Sequence, residues 1–92
     1  MLLRNYFHNI NKNFKNFSFS GISFNTKSIK KNNIFFAIKG NSIDGNKFIP
    51  KAIKKGSKII ITEKKANLFQ NGILYIHTNN IRKLLAKIAF LL

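Results

Sequence analysis

The residues best placed to do chemistry form one loop, Gly40-Asn41-Ser42-Ile43-Asp44-Gly45-Asn46-Lys47. An apolar run precedes it and an amphipathic stretch follows, the setting in which a phosphate-cradling loop sits between a strand and a helix. A triphosphate-binding loop of that kind closes with Gly-Lys-Ser/Thr, so that the lysine reaches the terminal phosphates and the hydroxyl holds magnesium. Here Asn46 separates Gly45 from Lys47, and Phe48 stands where the hydroxyl is needed, which argues against ATP binding in this loop. Backbone N–H groups at the start of the next helix could still receive an anion. Asp44 reads as a brace for the turn before that helix rather than as a catalyst. Thr26 ends an earlier strand, where its hydroxyl could donate to a ligand. The residues alone favour a turn-forming hydroxyl bonded to its own backbone, and Asn25 and Lys27 beside it read as ordinary surface residues.

Other chemistries lack their parts. The chain has no cysteine, hence no thiolate nucleophile, disulfide or cysteine metal site. His8 and His77 have no metal-ligand spacing; His8 is expected to face solvent and His77 to end a strand. Asp44 and Glu63 are the only acids, so no carboxylate pair is available for acid–base work, and no nucleophile has a positioned base. No catalytic residue is assigned to this chain by itself.

The elements that position these residues follow from periodicity. Residues 1–20 form an Asn/Lys/Phe-rich segment in which Leu2, Leu3, Tyr6, Phe7 and Ile10 keep helical spacing. A docking helix, a membrane-surface helix and an organellar targeting peptide compete for it; the abundance of Asn and scarcity of Arg favour docking. Residues 21–27 read as a short strand with Ile22 and Phe24 on one face. Lys31-Asn32-Asn33 is a turn, since Asn tolerates left-handed backbone. Ile34 to Ile38 is a continuous apolar run, the mark of a strand covered on both faces. Phe48, Ile49, Ala52 and Ile53 mark a helix with Pro50 in its first turn and Gly56 beyond its end. Lys58 to Thr62 is a β-branched strand, 64–72 a connection, and Ile73 to His77 another strand. A last helix begins after Thr78-Asn79-Asn80 and carries Ile81, Leu84, Leu85, Ile88 and Leu92 as its apolar stripe. The order α-β-β-α-β-β-α predicts an α/β fold, a small mixed sheet sandwiched by helices. Nothing polar closes the final helix after Leu91-Leu92, so the sequence reads as cut at a domain boundary.

Charge is the other prominent feature, with a net +15 from 17 basic residues. That suggests a small RNA- or DNA-binding module, with Lys on the surface and the 10 Phe available for stacking. Yet only Arg4 and Arg82 are arginines, the residue preferred for bidentate base and phosphate recognition. Lys, Asn, Ile and Phe fill more than half the chain, and all four can be encoded by A and T alone. Composition of that origin explains most of the charge, and nucleic-acid binding stays as the alternative reading. At 92 residues and 45% hydrophobic composition, the chain can bury one core. No apolar run approaches the ~20 residues of a bilayer span.

The spaced pattern over residues 21–57 resembles the N-terminal domain of the Mur ligases. It comprises Gly21-Ile22-Ser23-Phe24-Asn25-Thr26-Lys27, Ile34-Phe35-Phe36-Ala37-Ile38-Lys39-Gly40, Asp44-Gly45, Phe48-Ile49, Ala52-Ile53 and Gly56-Ser57. Within the family it is most similar to ligases that add the third stem-peptide residue to UDP-N-acetylmuramoyl-L-alanyl-D-glutamate. Asn25-Thr26-Lys27 replaces the family's Asp-Ser-Arg, keeping the hydroxyl but losing the guanidinium fork. Lys31-Asn32-Asn33 replaces its Pro-Gly-Asp turn. The resemblance implies that residues 21–92 hold the UDP end of this substrate through Phe24, Thr26, Asn41, Ser42 and Ile43. Central and C-terminal domains, absent here, would bind ATP with Mg2+ and the incoming amino acid. It also implies a cytoplasmic enzyme that activates a carboxylate as an acyl phosphate for attack by an amine.

Overall fold

The computed structural model describes residues 1–7, 10, 12–65 and 67–92. His8 lies outside the described residues. Five strands, β1 (Gly21–Ser23), β2 (Asn33–Ala37), β3 (Ile59–Thr62), β4 (Asn67–Gln70) and β5 (Ile73–His77), form one sheet in the order β1-β2-β3-β5-β4. The first four in that order are parallel, and β4 closes one edge antiparallel to β5. Two helices accompany them, α1 (Ile49–Lys54) and α2 (Ile81–Leu91). The architecture is the mixed α/β sandwich expected.

Strand alternation divides the core into two layers. Ile34, Phe36, Ile59, Ile61 and Leu74 point to one face, where Ile81 and Ile88 of α2 meet Leu3, Phe7 and Phe19 of the N-terminal segment. Phe35, Ala37 and Ile60 point to the other and pack on Ala52 of α1. All five residues of β2 are buried, as its unbroken apolar run requires for a central parallel strand. Each fully buried Phe or Ile removes enough apolar surface from water to contribute about 1.5–3 kcal/mol.

Local signals place the element ends. Pro50 sits in the first turn of α1, where no N–H is missed, and Gly56 follows that helix at φ 110. Asn32 takes the left-handed backbone at φ 66 in the turn before β2. Asn80 caps α2, its side chain accepting from the Lys83 N–H at 3.0 Å.

Three expectations change. The helix anticipated near the N-terminus is instead a pair of 3-10 turns, Leu3–Asn5 and Lys12–Phe14. Its backbone bonds run across to residues 15–19, with Leu3 N–H donating to the Phe17 carbonyl at 2.9 Å and Phe19 N–H to that of Met1 at 2.8 Å. So short an Asn-rich stretch gains more from docking its apolar side chains than from helix propagation. The anticipated connection over 64–72 contains β4. Asn71 at φ 53 and Gly72 at φ 80 form the two-residue turn to β5, since paired positive φ values give a hairpin turn that matches strand twist. Finally, β1 stops at Ser23, so Phe24 leaves the strand face it was expected to share with Ile22 and is 64% exposed.

Candidate functional site

Two loops at the C-terminal ends of β1 and β2 build the site. In the first, the Ser23 and Ser28 hydroxyls lie 2.9 Å apart and both donate to the Asn25 carbonyl, at 2.8 and 3.1 Å. The Asn25 side chain accepts from the Lys27 N–H at 2.9 Å. This network closes the turn without Thr26, contrary to the turn-forming role expected for that hydroxyl. Thr26 is held from behind, its carbonyl accepting from Lys55 Nζ at 2.7 Å. The residue is 8% exposed, yet its hydroxyl bonds to no other described residue, and it is not among sealed-off polar atoms. The oxygen therefore meets solvent at the surface of the cleft.

The second loop is fixed by close backbone approach. Gly40 N–H donates to the Ile43 carbonyl at 2.7 Å, and Gly45 N–H to the Ile38 carbonyl at 2.8 Å. A Cβ on Gly45 would stand 2.6 Å from the Ile38 oxygen, a separation no side chain tolerates. The Asp44 carboxylate accepts from the Asn46 N–H at 2.9 Å and from the Asn46 amide at 2.8 Å. Hydrogen bonding from the Asn46 side chain, then from its backbone, holds the Asp44 carboxyl below its ordinary range, with Lys64 and Lys39 adding attraction. Asn46 in turn accepts from the Thr62 hydroxyl at 2.7 Å, tying the loop to β3. Asp44 thus braces the 3-10 turn Gly45–Phe48, as expected. The N–H groups of Gly45 and Asn46 are taken internally, so the helix start does not offer them to an anion.

Between the loops lies an open cleft of about 640 Å³. It straddles the end of the sheet, the place where open parallel α/β sheets accept ligands. Of the five expected site residues, Phe24, Thr26 and Ile43 line it. Asn41 and Ser42 are exposed on the same loop between Gly40 and Ile43 but do not line it. Phe35, Ile38 and Leu85 contribute apolar surface, and Phe48 stands exposed at the wall. Lys27, Lys51 and Arg82 bring positive charge, and neither acid lines the cleft. Sequence reasoning missed Lys51, Phe48 and Arg82. Phe48 was assigned to the helix face and Lys51 sits beside it, whereas Arg82 reaches the site only because α2 returns over β2.

His77 is structural, with Nδ1 3.0 Å from the Lys64 carbonyl and Nε2 3.0 Å from Asn79 Oδ1. No cluster of three or more metal-binding side chains exists among the described residues, and none of their helices is long and apolar enough to cross a membrane.

Residues 18–89 match the sequence pattern described as "Mur ligase family, catalytic domain". The UDP-N-acetylmuramoyl-L-alanyl-D-glutamate–2,6-diaminopimelate ligase of Rickettsia typhi is 41% identical over 69 residues, covering 75% of this chain and 14% of the relative. The ligase of the same description from Clostridium tetani is 47% identical over 68 residues, 71% of this chain and 14% of the relative. Among solved structures, the MurF ligase of Thermotoga maritima in complex with ADP superposes with a TM-score of 0.61 at 31% identity, over 74% of this chain and 15% of that one. MurF from Acinetobacter baumannii shares the fold, with a TM-score of 0.63 at 18% identity, over 76% of this chain and 15% of that one. The chain thus spans about 14% of the length of these ligase relatives.

Proposed function

The chain belongs to the Mur ligase family, and from that premise we propose that it holds the UDP end of UDP-N-acetylmuramoyl-L-alanyl-D-glutamate for a ligase that adds the third residue of the peptidoglycan stem peptide. The observation that carries the reading is the convergence of Phe24, Thr26 and Ile43 on one cleft at the ends of β1 and β2. An exposed aromatic ring offers a face to a base, and an unbonded hydroxyl in a nearly buried residue offers a directed hydrogen bond. Asn41 and Ser42, on the loop beside Ile43, serve as rim contacts in this reading. Cationic walls suit the diphosphate.

The whole ligase, in the same proposal, is a cytoplasmic ATP-dependent enzyme using Mg2+. The residues present do not fit the triphosphate. The Gly40–Lys47 loop lacks the Gly-Lys-Ser/Thr ending, and its N–H groups at Gly45 and Asn46 are already bonded. Phosphoryl transfer and amide formation therefore belong to other parts of such an enzyme, and these residues bind and orient. The nucleic-acid alternative gains no support, because the matched proteins are ligases and several of the phenylalanines are spent on packing. Phe35 and Phe36 are buried, while Phe14 and Phe17 pack on Phe69.

Titration of the 92-residue chain with UDP-N-acetylmuramoyl-L-alanyl-D-glutamate tests the reading. Thr26→Val keeps the shape and removes the hydroxyl; binding is expected to weaken about tenfold, the cost of one directed hydrogen bond in a sheltered site. A Thr26→Val chain with wild-type affinity and an unchanged melting temperature would remove Thr26 from the site.

A further inference from the structure

We infer that Arg82, with Lys27 and Lys51, is the anion-binding wall of the cleft and receives the phosphate groups of the bound nucleotide. The inference rests on the reading above and adds residues that lie outside the family-derived contact set. Three separate elements deliver the charges. Lys27 comes from the turn after β1, Lys51 from α1 on one face of the sheet, and Arg82 from the first turn of α2 on the other. A ligand entering at the sheet edge would therefore meet cations from both layers.

Several observations separate this wall from the general lysine surface. The chain's two acids are both occupied by backbone N–H groups: Asp44 accepts from Asn46 at 2.9 Å and Glu63 from Ile81 at 2.9 Å. Neither lines the cleft, so its cations have no carboxylate within the site. The side chains of Lys27, Lys51 and Arg82 make no hydrogen bond to another described residue. Arg82 also stands at the wrong end of its helix. The positive end of a helix dipole disfavours a cation there, and the carboxylate at that helix start, Glu63, is engaged by the Ile81 N–H at 2.9 Å. A cation set against the dipole on a side chain that lines a cleft free of carboxylates fits a site that takes an anion. Chemistry narrows the ligand group. A guanidinium presents a planar fork that binds two phosphate oxygens at once, while the two ammonium groups act as point charges. The wall suits a diphosphate better than a single carboxylate.

The test uses UDP as the probe, with Arg82→Gln and Lys51→Gln in the 92-residue chain and Lys83→Gln as the control. Lys83 is exposed on the same helical turn but does not line the cleft. Loss of Arg82 is expected to weaken UDP binding about tenfold, and loss of Lys51 roughly threefold, as for charge-assisted hydrogen bonds in a partly open site. Salt dependence should become shallower in both variants, uridine affinity should not change, and Lys83→Gln should match wild type. Equal weakening by Lys83→Gln would mean that only the overall field of a +15 chain is felt, and would overturn the assignment. Unchanged UDP affinity in Arg82→Gln, with loss in Thr26→Val, would overturn the cationic wall and leave the nucleotide reading standing. A wild-type chain that binds neither UDP nor uridine would overturn both.

Discussion

The two halves of the sheet's C-terminal edge carry similar residues and use them differently. At the β3–β5 half, the Thr62 hydroxyl donates to Asn46 and accepts from the Lys64 N–H, His77 is held by Lys64 and Asn79, and Glu63 caps α2 at Ile81. At the β1–β2 half, Thr26 has the same residue type, yet its hydroxyl bonds to no other described residue, and the cleft it lines holds Lys27, Lys51 and Arg82 without a carboxylate. A threonine is thus a structural latch at the end of β3 and a free donor beyond the end of β1. The difference arises from what the neighbouring loop supplies. Asn46 reaches Thr62, whereas Ser23, Asn25 and Ser28 close their own turn and leave Thr26 aside.

The largest test of this contrast is Gly45→Ala, because Gly45 holds the loop that serves both halves. Its Cβ would meet the Ile38 oxygen at 2.6 Å and the Ile38 nitrogen at 2.7 Å, both backbone atoms that cannot swing away. Overpacking of this kind costs about 1–3 kcal/mol or more, which lowers the melting temperature on the order of 10 °C in a domain of this size. Ligand binding should fall with it, since Ile43 and Phe48 leave their places. A melt superimposable on wild type would show that the loop is not pinned at Gly45.

Next in size is the pair Thr62→Val and Thr26→Val. The first removes a hydroxyl that both donates to Asn46 at 2.7 Å and accepts from Lys64 at 3.1 Å, and should cost about 1–3 kcal/mol of stability. The second should leave stability within about 0.5 kcal/mol and act on binding instead. Thermal melts and titrations of both variants decide between them. If both substitutions lower stability alike, the two halves do not differ as described.

What could be read in the sequence follows the same divide between local and distant causes. β3, β5 and α2 were legible because Ile59-Ile60-Ile61, Ile73 to His77 and the Ile81/Leu84/Leu85/Ile88 stripe announce their own periodicity. Thr26, Phe24 and Ile43 were reached through a spaced pattern whose elements keep their order. β4 was hidden, since Leu68 and Phe69 are adjacent, half-exposed apolar residues on an edge strand; its one clear signal was Asn71-Gly72. The N-terminal segment looked helical by spacing, but backbone hydrogen bonds tie Met1, Leu3 and Arg4 to residues 15–19, a pairing that no local window contains. Arg82 was invisible for the same reason, since it lies 55 positions beyond Lys27 and meets it only when α2 folds back over β2.

The smallest effect concerns Asp44, and it separates a hydrogen-bonded brace from a charge partner. Asp44 accepts from a residue two positions on, and Asn46 keeps its carboxyl below the ordinary value of 3.8. A carboxyl depressed in the folded state stabilises the fold above its unfolded value, and that contribution disappears as pH falls through the folded one. Asp44→Ala should therefore melt below wild type near neutral pH, and the two should converge as the pH is lowered beneath 3.8. Because Asp44 lies at the solvent-facing side of its loop, added salt should shrink the contribution from Lys64 and Lys39 but not the hydrogen bonds from Asn46. A gap between the two melts that closed in salt alone would make Asp44 a charge partner of the lysines. One that closed only with acid would make it the brace on which Gly45, and with it the wall of the cleft, depends.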